Sequence, residues 1–454
     1  MIPVDAPRVN TKYRRIVTKI PVPESLELFK ALEKYESRSM HGQLPVIWDR
    51  AEDFQVFDPY GNAWIDFTST IFVTNSGHAN PKIISALQKN LEQKLLHTYT
   101  FAHKSRVDFL KKLIEITPEQ FEKAVLLSAG TEVTECALKL MRMHGQTVKP
   151  SKIVIISFRD AMHGRTMGAE MLKGDPKTSG WIGYMDPNIY HLPVPFPWAA
   201  RGKVKNDYDW GQHFYEDMQT LREDGLDFNN IAGFIIESYI GWGAFFYPVA
   251  YIQALDAFAK EHDALVAFDE IQAGFGRTGK MFVYQHYGAE PDLICLGKAI
   301  SGSLPLSAVI GRQKIMDLPD VGSMSSTHSA NPLCCTAGLA NLEAIEAGNL
   351  VEESARKGAI LHNRLNEIKN RYAHRVSHIW GKGLLAGVIF KNSKTNRPDS
   401  VFPSKVCEKA MQKGLLLVHT GRESIKIGPP LTIPDDALIE GLDVLEESIA
   451  EIDS

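Results

Sequence analysis

Between residues 81 and 308, short apolar runs alternate with longer amphipathic segments, and this alternation leaves the chain very few folds. The runs are 124–127, 153–156, 231–236, 264–268, 293–296 and 307–310. Each lacks the apolar/polar alternation of a half-exposed strand, so each reads as a strand buried on both faces. Helical periodicity fills several of the gaps, as at 83–96, 107–116 and 251–262. Buried strands spaced by helices predict an α/β fold, a doubly wound and mostly parallel sheet.

The flanks read differently. Residues 1–45 are polar and irregular apart from a helical stretch at 26–35, and 46–67 pattern as short strands broken by Asp58-Pro59-Tyr60-Gly61-Asn62, a turn signal. Residues 175–208, rich in Pro, Gly and Trp, predict a long irregular excursion. After Pro332 come helical patterns at 333–347 and 350–372. A strand–helix alternation from Leu384 onward then predicts a second, smaller α/β unit packed tightly on the first.

Lys plus Arg is 50 and Asp plus Glu is 54, so the net charge is −4. That balance gives no global footprint for nucleic acid or an anionic membrane, though it permits a local basic pocket for one small anion. With 44% hydrophobic residues the chain of 454 buries a large core, which excludes a disordered chain or a disulfide scaffold. The five cysteines (Cys136, Cys295, Cys334, Cys335, Cys407) are odd in number and never in CxxC spacing, as buried free thiols in a reducing compartment would be. No secretory signal is visible near Met1, and no run approaches the ~18 apolar residues of a spanning helix. The expected location is cytoplasmic.

Two motifs mislead. Gly274-Phe275-Gly276-Arg277-Thr278-Gly279 matches GxGxxG, but Asp269 to Gln272 and more separate it from the preceding strand, and a poor helix start follows. As a P-loop it fails at Met281, where the magnesium-binding hydroxyl belongs. His374 and His378, four apart with no carboxylate between, read as a solvated helix face and not as a zinc site; no metal is expected.

A different constellation carries weight. Asp269 ends one buried run and Lys298 follows the next, so both reach the crevice beyond the carboxyl ends of the strands. Ser128-Ala129-Gly130-Thr131 follows the run at 124–127 and opens a helix, whose unpaired N–H groups suit a phosphate. A lysine nucleophile, a buried carboxylate and a phosphate cradle are the three needs of pyridoxal phosphate. The lysine forms a Schiff base with its aldehyde, the carboxylate keeps its pyridine nitrogen protonated, and the helix end holds its phosphate.

At these residues the sequence resembles the class III aminotransferases, pyridoxal-phosphate enzymes of fold type I, over nearly the whole chain. Asp269-Glu270-Ile271-Gln272-Ala273-Gly274-Phe275-Gly276-Arg277-Thr278-Gly279 is similar to the family's D-E-V-Q-x-G-x-G-R-T-G signature, and 291–298 to its Schiff-base segment. The resemblance implies Lys298 and Asp269 as catalytic residues. It implies Ser128, Gly130, Thr131, Met162, His163, Glu237, Gln272 and Thr327 as further cofactor contacts, with Gln272 at the ring's phenolic oxygen. Thr327 would reach the phosphate in a partner subunit, which implies a homodimer with shared active sites. Asp66, Gly77 and His78 match the family pattern without a clear catalytic role. The implied division is 1–75 and 332–454 as the two parts of a small domain around a large domain, 76–331.

Three positions depart from the family pattern, one at the cofactor ring and two in substrate selection. Met162 stands where the family has an aromatic residue before His-Gly, giving a sulfur contact in place of a ring stack. Lys426 replaces an arginine that clamps carboxylates, and Trp242 replaces the glutamate that gates it, in Glu237-Ser238-Tyr239-Ile240-Gly241-Trp242. Lys426, Trp242 and Tyr239 are the expected substrate-lining residues. The implied function is transfer of the amino group of a small amine or amino acid to a keto acid. One alternative branch eliminates ammonia from phosphorylated or phosphonate-bearing amino-alcohols. Another racemises amino acids, and residues 304–311 are similar to racemase sequences.

Overall fold

The computed structural model describes residues 2–196 and 208–454. The N-terminal stretch contributes β1 (Val9–Asn10), β2 (Arg15–Ile16), the helix Leu26–Tyr35, β3 (Arg50–Glu52), β4 (Gln55–Phe57) and β5 (Ala63–Asp66). The turn before β5 forms because Asp58 Oδ1 accepts from the Tyr60 and Asn62 amides at 3.0 and 2.8 Å.

Among the described residues, seven strands build the central sheet: β6 (Lys123–Leu127), β7 (Val154–Phe158), β8 (Ile189–Leu192), β9 (Ile231–Glu237), β10 (Leu265–Asp269), β11 (Leu293–Leu296) and β12 (Ser307–Gly311). Their order is β6-β12-β11-β10-β9-β7-β8. Side chains alternate between two layers. Leu265 and Ala267 pack with Leu140 and Met141 of the helix Gly130–Val148, while Val266 and Phe268 join the cluster holding Leu255 and Phe258 of the helix Val249–Glu261. Burial on both faces explains the unbroken apolar runs.

Two features differ from expectation. The stretch 175–208 is not wholly irregular: β8 pairs parallel to β7 at the sheet edge, and 197–207 lies outside the described residues. An edge strand reading Ile-Tyr-His-Leu is only half-buried, so it lacks the two-sided apolar signature. In addition, β12 runs antiparallel to both neighbours. The connection 297–306 is shorter than the dozen or so residues a parallel crossover needs.

The helices Pro332–Ala347 and Leu350–Arg371 lead to β13 (Val376–Lys382) and β14 (Leu385–Phe390). Then follow the helix Val401–Gln412, β15 (Leu415–Leu416), β16 (Val418–His419), β17 (Ser424–Ile427) and the helix Asp435–Asp453. An antiparallel sheet runs β13-β14-β17-β16, and β15 pairs parallel with β5, so the two ends of the chain share a sheet. His378 sits on β13 and not on a helix, and His374 binds Asp453 at 2.6 Å. The half-polar Val-Ser-His-Ile-Trp-Gly-Lys of β13 hides a strand that is only partly buried. Among the described residues no cluster of His, Cys, Asp and Glu could hold a metal, and no helix is long and apolar enough to cross a membrane.

Candidate active site

The parallel strands deliver their chemistry at one edge of the sheet. β10 ends in Asp269, β9 ends in Glu237, β11 is followed by Gly297 and Lys298, β6 leads to Gly130, and β7 leads to the loop carrying Met162 and His163. Asp269, Glu237, Lys298, Gly130, Met162 and His163 all line one cavity of about 760 Å³, a size suited to a cofactor with a small substrate.

Lys298 holds a left-handed backbone, φ +44°, uncommon for a side chain of its size. Its amine makes no hydrogen bond or ion pair with any described residue. Burial pushes the amine below the ordinary lysine range, and the Asp269 and Glu237 carboxylates pull it back up.

Asp269 is fixed from two sides. Its Oδ1 accepts from the Ile271 amide at 3.0 Å, and its Oδ2 faces His163 Nδ1 at 2.9 Å. A carboxylate only accepts, so Nδ1 donates, and His163 Nε2 takes the Ser157 hydroxyl at 3.2 Å. His163 is buried behind the carboxylate and orients it.

At the head of the helix Gly130–Val148, Glu132 accepts from the Ser128 and Ala129 amides at 2.8 and 3.0 Å. The Ser128 amide is thereby committed to Glu132, and the Gly130 and Thr131 amides remain as the open donors of the first turn. Thr131 Oγ1 also meets Thr166 Oγ1 at 2.6 Å, which docks the β7 loop on the helix. Glycine is required at 164, at φ +144°, because a Cβ there would lie 2.2 Å from Thr131 Oγ1.

Glu237 accepts from the Met162 amide at 3.1 Å, and burial, helped by Asp269, lifts its carboxyl to about 7. Met162 is exposed at the cavity wall. Gln272 Oε1 accepts from the Lys426 amine at 3.1 Å and from the Tyr239 hydroxyl at 3.2 Å. Both acceptor sites of that oxygen are taken, so the amide NH₂ is the end left for a ligand. Lys426 is buried, lies 4.9 Å from the Phe72 ring centroid, and is lowered by burial to about 7. The lysine expected to meet substrate is thus engaged with Gln272. Lys426 and Tyr239, both expected on the substrate side, line the cavity; Tyr239 is almost wholly covered and stacks on Phe246.

Trp242 lines the cavity, and Thr327 does not: it is exposed, and its carbonyl accepts from His97 Nε2 at 2.9 Å. Asp66 and His78 pair at 2.7 Å as a buried brace. Sequence reasoning missed Ser157, Phe72, Asp160 and Arg422. Asp160 had a signal, since Arg159-Asp160 is a polar pair directly after a buried strand; the others depend on distant contacts.

These residues fit pyridoxal phosphate. An unpaired amine, a braced carboxylate, an amide with free N–H groups and two open helix donors converge on one cavity.

Residues 36–449 match the family described as aminotransferase class-III. A 4-aminobutyrate aminotransferase of Mycobacterium leprae is 33% identical over 446 residues, covering 96% of this chain and 98% of that protein. An alanine/serine racemase of Pyrococcus horikoshii is 31% identical over 461 residues, 97% and 93% respectively. The solved omega transaminase of Pseudomonas jessenii in complex with PMP superposes with a TM-score of 0.85 at 23% identity, over 93% of this chain and 97% of that one. With its sheet order, its cavity and these likenesses in agreement, the chain belongs to the class III aminotransferases, the pyridoxal-phosphate enzymes of fold type I.

Proposed function

We propose that this enzyme moves the amino group of a small primary amine or amino acid to a 2-oxo acid, with Lys298 carrying the proton. The observation behind this is the Lys298 amine itself: unpaired among the described residues, inside the cavity, and placed after β11 near the two carboxylates that end β9 and β10.

Pyridoxal phosphate bound here supplies an aldehyde that condenses with amines and a ring that takes up the electron pair left by a broken Cα–H bond. The Gly130 and Thr131 amides would hold its phosphate, Asp269 would hold a proton at its pyridine nitrogen, and the Gln272 amide would donate to its phenolic oxygen. Lys298 would take the proton from the substrate Cα and return it at C4′. An amine lowered by burial suits that task, because it is free to accept a proton nearer neutral pH.

The test is a donor amine added to the holoenzyme, with and without a 2-oxo acid. The long-wavelength band should fall with amine alone and return with the oxo acid, with one keto product per amine. Ammonia release with the band intact would mean elimination. Loss of optical activity with neither event would mean racemisation, as in the Pyrococcus relative. Lys298→Ala should slow transfer by at least about 100-fold, and borohydride should label residue 298 in the parent and not in the variant.

The proposed assembly is a homodimer in which Thr327 serves the partner's phosphate, in keeping with its place outside its own cavity. Thr327→Ala alone should retain cofactor poorly. Mixed with Lys298→Ala subunits, it should regain activity, because the hybrid dimer rebuilds one intact site. Absence of recovery in a mixture shown to exchange subunits would overturn that role.

A further inference from the structure

Lys426 and Tyr239 line the cavity, yet both direct their polar ends at one atom, Gln272 Oε1, at 3.1 and 3.2 Å. Three separate segments meet there. Gln272 follows β10, Tyr239 follows β9, and Lys426 lies on β17 of the other sheet.

Each donor is held from behind. Lys426 sits opposite Gly387 of β14 on one side and Val418 of β16 on the other, so its backbone is fixed between two strands. The Phe72 ring lies 4.9 Å from the amine, a contact that favours a cation. The Tyr239 ring stacks on Phe246 with centroids 5.5 Å apart, and the Ile240–Phe245 bridge closes the turn after it. A Cβ at Gly241 would lie 3.2 Å from the same Gln272 oxygen, which is thus enclosed on a third side.

The donors decide which end of the amide they meet. An ammonium only donates, and the Tyr239 hydroxyl has two Gln272 oxygens as acceptors, Oε1 and the backbone carbonyl at 3.4 Å. A flipped amide would set its NH₂ against both donors. A glutamine without such partners has a broad choice at its last torsion. Gln272 Nε2 makes no hydrogen bond with any described residue. The clamp therefore fixes the oxygen and leaves the nitrogen for the cavity.

We propose that Lys426 and Tyr239 are positioning residues for the cofactor, which lock the Gln272 amide so that its NH₂ is aimed at the ring's phenolic oxygen before the cofactor arrives. The proposal rests on the pyridoxal-phosphate assignment and gives two residues expected on the substrate side a task at the ring. A donor already oriented by the fold needs no reorganisation when the ligand binds.

The test compares pyridoxal phosphate with its 3-deoxy analogue, which lacks the phenolic oxygen, as ligands of the full-length protein freed of cofactor. Lys426→Met should weaken pyridoxal phosphate about 10-fold and leave the analogue within about twofold. Lys426→Arg, still a donor, should keep most of the parent's preference, and Tyr239→Phe should lose part of it. In a Gln272→Leu background, Lys426→Met should cost no more than about twofold further, because the group it acts through is gone. Full additional loss in that background, equal loss of both ligands, or unchanged affinity in Lys426→Met would each overturn the clamp; the last would hand the lysine back to the substrate. A parent that binds both ligands alike would overturn the Gln272 contact and the clamp with it. The expected ratios in a protein that makes no keto product would leave the clamp standing and overturn the reaction.

Discussion

A lysine works as a base only where something keeps it from permanent charge, and at residue scale the cavity does this for Lys298 and Lys426 together, by burial. The neighbouring carboxylates respond the other way. Glu270 is fully buried; its Oε1 accepts from the Tyr284 amide at 2.8 Å, while Oε2 has no partner among the described residues, and burial lifts the group to about 7. In the unfolded chain a glutamate titrates near ~4.3. A carboxyl raised on folding contributes fully below that value, and its contribution is lost as the pH climbs to about 7 and beyond. Glu270→Gln cannot ionise, so its unfolding free energy relative to the parent's should be greater at pH 8 than at pH 5, by on the order of a few kcal/mol, read from urea unfolding. Equal gains at both pH values would contradict a strained carboxylate. Lys298 and Asp269 were legible in sequence because each sits at the end of an apolar run. The binding of Lys426 to Gln272 was not, since 154 positions separate the two, and no local pattern reports such a pairing.

Elements carry strain as well as order. Ser69, Thr70, Ile71 and Phe72 form one left-handed turn, with φ from +45° to +66°, and none is glycine or asparagine. Such a turn persists only where its surroundings over-determine it. Here the Ser69 hydroxyl donates to the Gly428 carbonyl at 2.7 Å, and Phe72 packs under Lys426 and beside Arg277. A Cβ at 428 would lie 1.9 Å from the Phe72 ring. Gly428→Ala should therefore cost about 1–3 kcal/mol, read from urea unfolding, and push Phe72 from its place below Lys426. Sequence pattern anticipated six strands of the large sheet because they are apolar on both faces. It passed over β8, half-polar at the edge, and the left-handed turn, which has no signature in residue type.

At the scale of the whole molecule, Arg277 ties the parts together. The side chain is fully buried, lies in the glycine-rich segment after β10, and donates to the carbonyls of Leu384 and Pro429, to Ser69 Oγ and to Asn75 Oδ1. Segments from both ends of the chain and from the large sheet meet at one guanidinium, and burial lowers it to about 10. The glycines that imitate a nucleotide fingerprint serve this junction instead: Gly279, at φ +80°, lets the chain lie 2.8 Å from Ala355 at the position a Cβ would take. Arg277→Met strands several buried acceptors and should lower stability by about 3 kcal/mol or more, read from the denaturant midpoint; a loss below about 1 kcal/mol would show that water replaces it.

The pairing of β5 with β15 has a consequence for biosynthesis. Residues 63–66 wait for 415–416 before their edge is covered, so a nascent chain can complete the sheet that bears the reactive lysine while its first strands still lack their last neighbour. Closure comes only once residues 415–416 have been made, and until then an open backbone edge invites other chains.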